Sequence, residues 1–170
     1  AAISILVTTV VTPFSTHANS SYHKTNGQFV WYSAPINDST SELFTADENG
    51  ANVRAVTSDG VQNGNPQWHP NGQRIIFDRP NPGQPGNSPN HSIYIIDRDG
   101  QNQKQLLDYT SIPSPLCNDG SCQIYDASFN PAGTKIAFHM LRSGYGVKIM
   151  IADYDFASNS ISNLTYMGNS

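Results

Sequence analysis

Short apolar runs broken by polar turns give this chain its pattern. Ile75-Ile76-Phe77, Ile93-Tyr94-Ile95-Ile96 and Ile149-Met150-Ile151 are apolar at successive positions, as in strands covered on both faces. The turns have a chemistry of their own. In His69-Pro70-Asn71-Gly72 and Asn130-Pro131-Ala132-Gly133, proline presets φ at the first turn position and glycine takes the left-handed geometry that ends it. Helix signals are nearly absent, so the expected elements are short strands joined by tight hairpins.

The pattern repeats. "NPQWHPNGQRIIFDR" from Asn65 returns as "DASFNPAGTKIAFHM" from Asp126 and, shorter, as "NGQFVWYS" from Asn26. A second run follows each. "LFTADENGANVRAVT" from Leu43 matches "IYIIDRDGQNQKQLL" from Ile93 without a gap, and a third copy from Ile149 reads as two residues longer at its turn. Each unit is thus two linked hairpins, four strands in all. Gly27 and Gly72 lie 45 residues apart, the usual length of a four-stranded propeller blade. Gly72 and Gly133 lie 61 apart, and insertions of five and eleven residues absorb the excess. The aromatic before each turn, Trp68 or Phe129, is expected to fill the space between sheets.

These residues resemble the TolB-type (WD-like) β-propeller repeat, whose pattern runs roughly Pro-x-Trp-Ser-Pro-Asp-Gly-x-x-Ile-Ala-Phe, then an apolar strand, an Asp-Gly turn and a closing Leu-Thr. Pro66-Gln67-Trp68-His69-Pro70-Asn71-Gly72 with Ile75-Ile76-Phe77 fits that pattern, and Val56-Thr57 and Leu164-Thr165 fit its close. The chain departs from it at His69 and Asn130 in place of Ser, at Asn71 and Ala132 in place of Asp, and at the missing Gly of "DYDFASN". The resemblance implies an all-β fold of four-stranded antiparallel blades, spanning 26–57, 63–107 and 124–165. The ring is expected to be incomplete, because closed propellers usually need about four to eight blades. Both ends read as the boundaries of a fragment, whose open blade faces are expected to self-associate. Members of the family serve as periplasmic scaffolds, as carbohydrate-linked proteins and as the propeller halves of peptidases.

Composition narrows the partners. The net charge is -4, and the nine Lys and Arg are scattered singly, which leaves no basic stripe for a phosphate backbone and speaks against nucleic acid. The opening "AAISILVTTVVTPFSTHANS" carries no charge, is apolar from Ile3 to Val11 and reaches a small residue at Ala18, like the back half of a secretory signal peptide. Residues 1–18 are therefore expected to be a signal remnant ahead of a partial propeller at 19–170, in a periplasmic or extracellular protein. The apolar stretch is too short for a membrane span. Cys117 and Cys122 are the only cysteines, flank the turn signal Asp119-Gly120 and form a candidate disulfide suited to export; no second Cys or His pair stands at zinc-finger spacing. Sequons stand at Asn19, Asn37, Asn90 and Asn163.

Function is written less clearly. Two insertions, Pro80 to His91 and Asp108 to Gln123, fall on the face of the links between hairpins, and elaboration of one face of a repeat fold often marks binding. The strand before each Pro turn is expected to be innermost, which nominates Asn65, Gln67, Asp126 and Ser128 as channel-lining. Asp97-x-Asp99-Gly100 reads as a hairpin turn, since an EF-hand loop needs a sixth-position Gly and a closing Glu. His69 and His139 sit at unlike positions and read as packing residues. No Gly-x-Ser-x-Gly elbow, Walker loop or His-Glu-x-x-His occurs, so no catalytic residue, cofactor or metal ligand is nominated. The expected function is a non-catalytic binding or scaffold module for a protein or glycan. The alternative is the propeller portion of a larger enzyme, a serine peptidase of the prolyl oligopeptidase type or a carbohydrate-active enzyme.

Overall fold

The structure, a computed structural model, describes residues 27–35, 39–81, 91–112, 116–117, 122–142 and 146–168. The expected signal remnant, the turn Asp119-Gly120 and the sequons at Asn19, Asn37 and Asn90 lie outside the described residues. Among the described residues eleven strands form three sheets. The first holds β1 (Gln28–Ser33), β2 (Glu42–Asp47) and β3 (Arg54–Ala55). The second holds β4 (Gly64–Trp68), β5 (Arg74–Pro80), β6 (His91–Asp97) and β7 (Lys104–Leu107). The third holds β8 (Cys122–Phe129), β9 (Lys135–Arg142), β10 (Gly146–Asp155) and β11 (Ser160–Met167). Neighbours in each sheet are consecutive and antiparallel, and the sheets do not close into a ring. The one helical element among the described residues is a single 3-10 turn at Tyr109–Ser111.

The turns follow their chemistry. Gly72 N–H donates to His69 O at 2.8 Å and Gly133 N–H to Asn130 O at 2.9 Å, with both glycines at positive φ, 71° and 69°. Asn130, in place of the family's Ser, accepts through Oδ1 from the N–H groups of Thr134 and Lys135. The second hairpins share a different lock. Asn52, Asn102 and Asn163 all take left-handed φ and donate through Nδ2 to Asp47, Asp97 and Asp153 at 2.6 to 2.8 Å.

Pairing registers correct two details of the repeat. Phe29 pairs with Ala46, and Ile75 with Ile96, so Phe29-Val30-Trp31 matches Ile75-Ile76-Phe77 and the first turn is one residue shorter. Ile95 pairs with Lys104, nine positions on, whereas Ile151 pairs with Thr165, fourteen on. Between these pairs the third hairpin is therefore five residues longer, where two were expected, because it extends outward to Asp155 and Ser160.

Each apolar strand divides its residues between two neighbours, since successive side chains point to opposite faces. Ile75, Phe77, Tyr94 and Ile96 meet Val30, Leu43 and Val56 of the first sheet, around a fully buried Trp68. Ile76, Ile93, Ile95 and Leu107 meet Ile124, Phe129, Ile136, Phe138, Met140, Met150 and Ala152 of the third. Strand alternation puts the turns β4–β5, β6–β7, β8–β9 and β10–β11 at one end of the sheets, the turn end. The connections 81–90 and 108–121 leave from the opposite, link end.

Candidate functional site

The inner edges of the second and third sheets, β4 and β8, pack against each other. Both carry a bulge at the same repeat position, where pairing slips between Gly64 and Gln67 and between Tyr125 and Ser128. The first bulged residues, Asn65 and Asp126, have φ of 48° and 58°. A bulge re-aims a side chain away from the sheet, and here it sends each one across to the next strand. Asn65 Nδ2 donates to Asp78 Oδ2 at 2.9 Å, and Asp126 Oδ2 pairs with His139 Nδ1 at 3.1 Å.

Asp78 and His139 are themselves one repeat apart, so the two pairs are one device with its chemistry exchanged. In the second sheet the acid sits on the second strand and is 2% exposed; in the third it sits on the bulge, with side chains 38% and 40% exposed. The Asp78 carboxylate also accepts the Asp126 backbone N–H at 3.3 Å and faces His91 at 4.0 Å. Burial pushes its proton affinity above the usual carboxylate range, against the pull of Asn65, His91 and the Asp126 N–H, while the Asp126 charge adds to the rise. Tyr125 meets His139 edge-on.

Of the nominated residues, Asn65 and Gln67 are half-buried on β4, and Asp126 and Ser128 are exposed on β8. Asp78, His91 and His139, which join Asn65 and Asp126, were not nominated; laying Asn65 over Asp126 and then reading thirteen residues on would have found Asp78 and His139. His69 is elsewhere, buried at the turn end among Phe129, Tyr154 and Phe156, with Nε2 3.1 Å from Gly133 O. The link end is built differently. Cys117 and Cys122 form a disulfide with Cα atoms 5.9 Å apart. Asp108 caps the 3-10 turn through the N–H groups of Thr110 and Ser111, and Ile112 is buried in the core. Among the described residues no three His, Cys, Asp or Glu side chains converge as a metal site.

No protein-family model matches the chain, and no curated protein matches it by sequence. Solved structures do. A protein designated TolB from Agrobacterium tumefaciens superimposes with a TM-score of 0.58 and 14% identity over 84% of this chain and 45% of its own. These sheets have the fold of β-propeller blades, like those of TolB. The β-propeller domain of the Trilobed protease from Pyrococcus furiosus gives 0.57 and 15% over 89% of this chain and 43% of its own. A chain of a nidogen/laminin complex gives 0.57 and 10% over 88% of this chain and 46% of its own. The three TolB-like blades thus span less than half of each of these structures. No helix among the described residues is long and apolar enough to cross a membrane.

Proposed function

We propose that the chain is an exported, non-catalytic binding or scaffold module that presents its link end to a protein or glycan. One observation carries this reading: both long connections leave from the same end, and the described parts of the second are anchored by the disulfide, the Asp108 cap and buried Ile112. A loop that is merely tolerated needs no such anchoring, whereas a binding loop profits from being ordered before the partner arrives. The disulfide supports a periplasmic or extracellular location, since such bonds persist in oxidising compartments. The likeness to a chain of a nidogen/laminin complex supports a protein partner. Asn65, Gln67, Asp126 and Ser128, with His139, are the polar groups at the inner edge that a partner would meet.

The test is capture by the full chain on a glycan array and on a panel of immobilised extracellular proteins. Shortening 108–121 is expected to abolish the capture, and Asn71→Ala with Asp99→Ala at the turn end to leave it intact. Equal loss from both changes would overturn the assignment to the link end. A second reading, the propeller portion of a larger enzyme, is favoured by the likeness to the Trilobed protease propeller. A Gly-x-Ser-x-Gly segment encoded downstream of Ser170 would decide for it.

A further inference from the structure

Four Asn-Gly pairs stand in the chain, at Asn26, Asn49, Asn63 and Asn71, and both residues of the last three are described. An asparagine followed by glycine carries an unusually reactive amide, because the missing Cβ leaves the glycine nitrogen free to reach the asparagine Cγ. The three sites differ in how firmly the fold holds that nitrogen away. Asn63 is fully buried, and its Nδ2 lies among Ser41 O, Val61 O and Asp59 Oδ1 at 3.0 to 3.2 Å. Gly64 beyond it has the Asp78 carboxylate against it. Asn71 is exposed, but its N–H is held by His69 Nδ1 at 3.2 Å and the N–H of buried Gly72 by His69 O at 2.8 Å. His69 itself packs among Phe129, Tyr154 and Phe156.

Asn49 has neither hold. It is exposed in the β2–β3 turn, where a Cβ added at Gly50 would meet nothing within 4 Å. Gly50 N–H closes the turn on Asp47 O at 2.8 Å, and the strand beyond, β3, is two exposed residues paired with Phe44 and Thr45. So short an edge opens at small cost. Ala51 N–H donates to Asn49 Oδ1 at 3.0 Å, which draws electrons from Cγ and keeps the amide beside the backbone that attacks it. This exposure does not depend on what precedes β1. Asp99-Gly100 is the same turn in the second blade, the first blade packs on Gly100 through Val56 O, and Asp99 is still exposed. We propose that Asn49 is a site of spontaneous deamidation that ends in an isoaspartyl linkage. Once the turn opens, the Gly50 nitrogen gives its proton to water and attacks Asn49 Cγ; the Cγ–Nδ2 bond breaks, and Nδ2 takes a proton and leaves as ammonia. Water then opens the cyclic imide at either carbonyl, giving aspartate or isoaspartate at position 49. Aspartate suits the turn, as Asp99 shows. Isoaspartate adds an atom to the backbone, which takes Gly50 N–H off Asp47 O, disturbs the bond from Asn52 to Asp47 and loosens Arg54, whose Nη2 ties the first blade to Arg98 O of the second.

Peptide mapping by mass spectrometry of the full 170-residue chain, held folded at mildly alkaline pH, tests this. Deamidation is expected to run at least about tenfold faster at Asn49 than at Asn71, as unequal opening of the two turns requires. Aspartyl and isoaspartyl products should both appear at position 49, and Asn63 should stay unchanged. In urea the three sites are expected to react alike, which assigns the difference to the fold. Hydrogen exchange gives a second readout: the amides of Arg54, Ala55 and Val56 are expected to exchange faster in the isoaspartyl product and at the wild-type rate in Asn49→Asp. Equal rates at Asn49 and Asn71 in the folded chain, a faster Asn63, an Asn49 that persists unmodified, or a ranking that survives in urea would each overturn the inference. Exchange that rises as much in Asn49→Asp would overturn the part played by the added backbone atom.

Discussion

Arg74 tests how the second and third blades are fastened. Its guanidinium donates to Tyr154 Oη and to Phe156 O, each at 2.7 Å, and to Asp97 Oδ1 at 3.1 Å, and lies 4.1 Å from the centre of the Phe156 ring. Burial opposes its charge, but Tyr154 and Asp97 outweigh burial and hold its proton affinity above the ordinary value. Two of the hydrogen bonds cross between blades; at about 1.5 kcal/mol for a bond to a charged group they supply roughly 3 kcal/mol. The ring contact adds about 1 kcal/mol. The Asp97 pair, with side chains 16% and 28% exposed, adds less than about 1 kcal/mol. Desolvation offsets part of this. Arg74→Met, which keeps an apolar stem, is expected to cost about 2–4 kcal/mol in urea unfolding. Arg74→Lys should recover less than half, because an ammonium cannot span the same fork. Tyr154→Phe should cost about 1.5 kcal/mol alone, and the double-mutant cycle should return a coupling of about 1 kcal/mol. A coupling below about 0.3 kcal/mol would refute the claim that this arginine joins the blades.

Removing the disulfide by Cys117→Ala with Cys122→Ala frees a loop of sequence separation 5, worth about 2 kcal/mol by loop-closure entropy; calorimetry should show Tm lower by about 4–8 °C. Asp78 makes stability depend on pH. Its folded pKa is raised by burial, so its contribution is full below the ordinary Asp value of about 3.9 and is lost as pH rises through the folded value; Asp78→Asn should flatten that decline in urea melts run from acid to neutral pH. Gly133→Ala should cost more than Gly146→Ala, although φ is 69° and 72°. A Cβ at 133 would collide with His69 Nε2, while one at 146 meets nothing within 4 Å. Strain alone accounts for about 1 kcal/mol, and equal melts for the two variants would remove His69 from the account.

The repeat made the blades legible because turn chemistry and two-sided apolar strands are local signals. Trp68 and Phe129 fill the space between sheets as their place before the turns implied, and Asp97-x-Asp99-Gly100 is the hairpin turn it spelled, with Gly100 N–H donating to Asp97 O at 2.9 Å. What the sequence hid depends on register. "DYDFASN" has no turn glycine to fix where its hairpin ends, so the extension to Asp155 could not be placed. That extension has a purpose: it carries Phe156 over Arg74 and against His69. His69 replaces the family's serine where a large ring fills the gap beneath it.

Register also decides which face a side chain belongs to, and here the sequence misleads most. Ile136, Phe138, Ile149 and Ile151 are alike in the sequence as apolar strand residues of the third blade. The structure buries Ile136 and Phe138 against the second blade and leaves Ala137, Leu141, Ile149 and Ile151 on the open side. In a strand the assignment alternates with every residue, so one bulge or one missing turn residue reverses it for all that follow. The bulges at Asn65 and Asp126 are two such points. Each leaves an extra residue in left-handed geometry, for which Asn and Asp are among the better-tolerated side chains. That preference admits either residue at the bulge, and the partner on the next strand completes the pair: Asp78 opposite Asn65, His139 opposite Asp126. The second pair lies on the open trailing side, where Asp78's place in the repeat would put the bulge of a following blade. A following blade seated there would enclose His139 as the third blade encloses Asp78, so the polar inner edge and the apolar face belong to one surface.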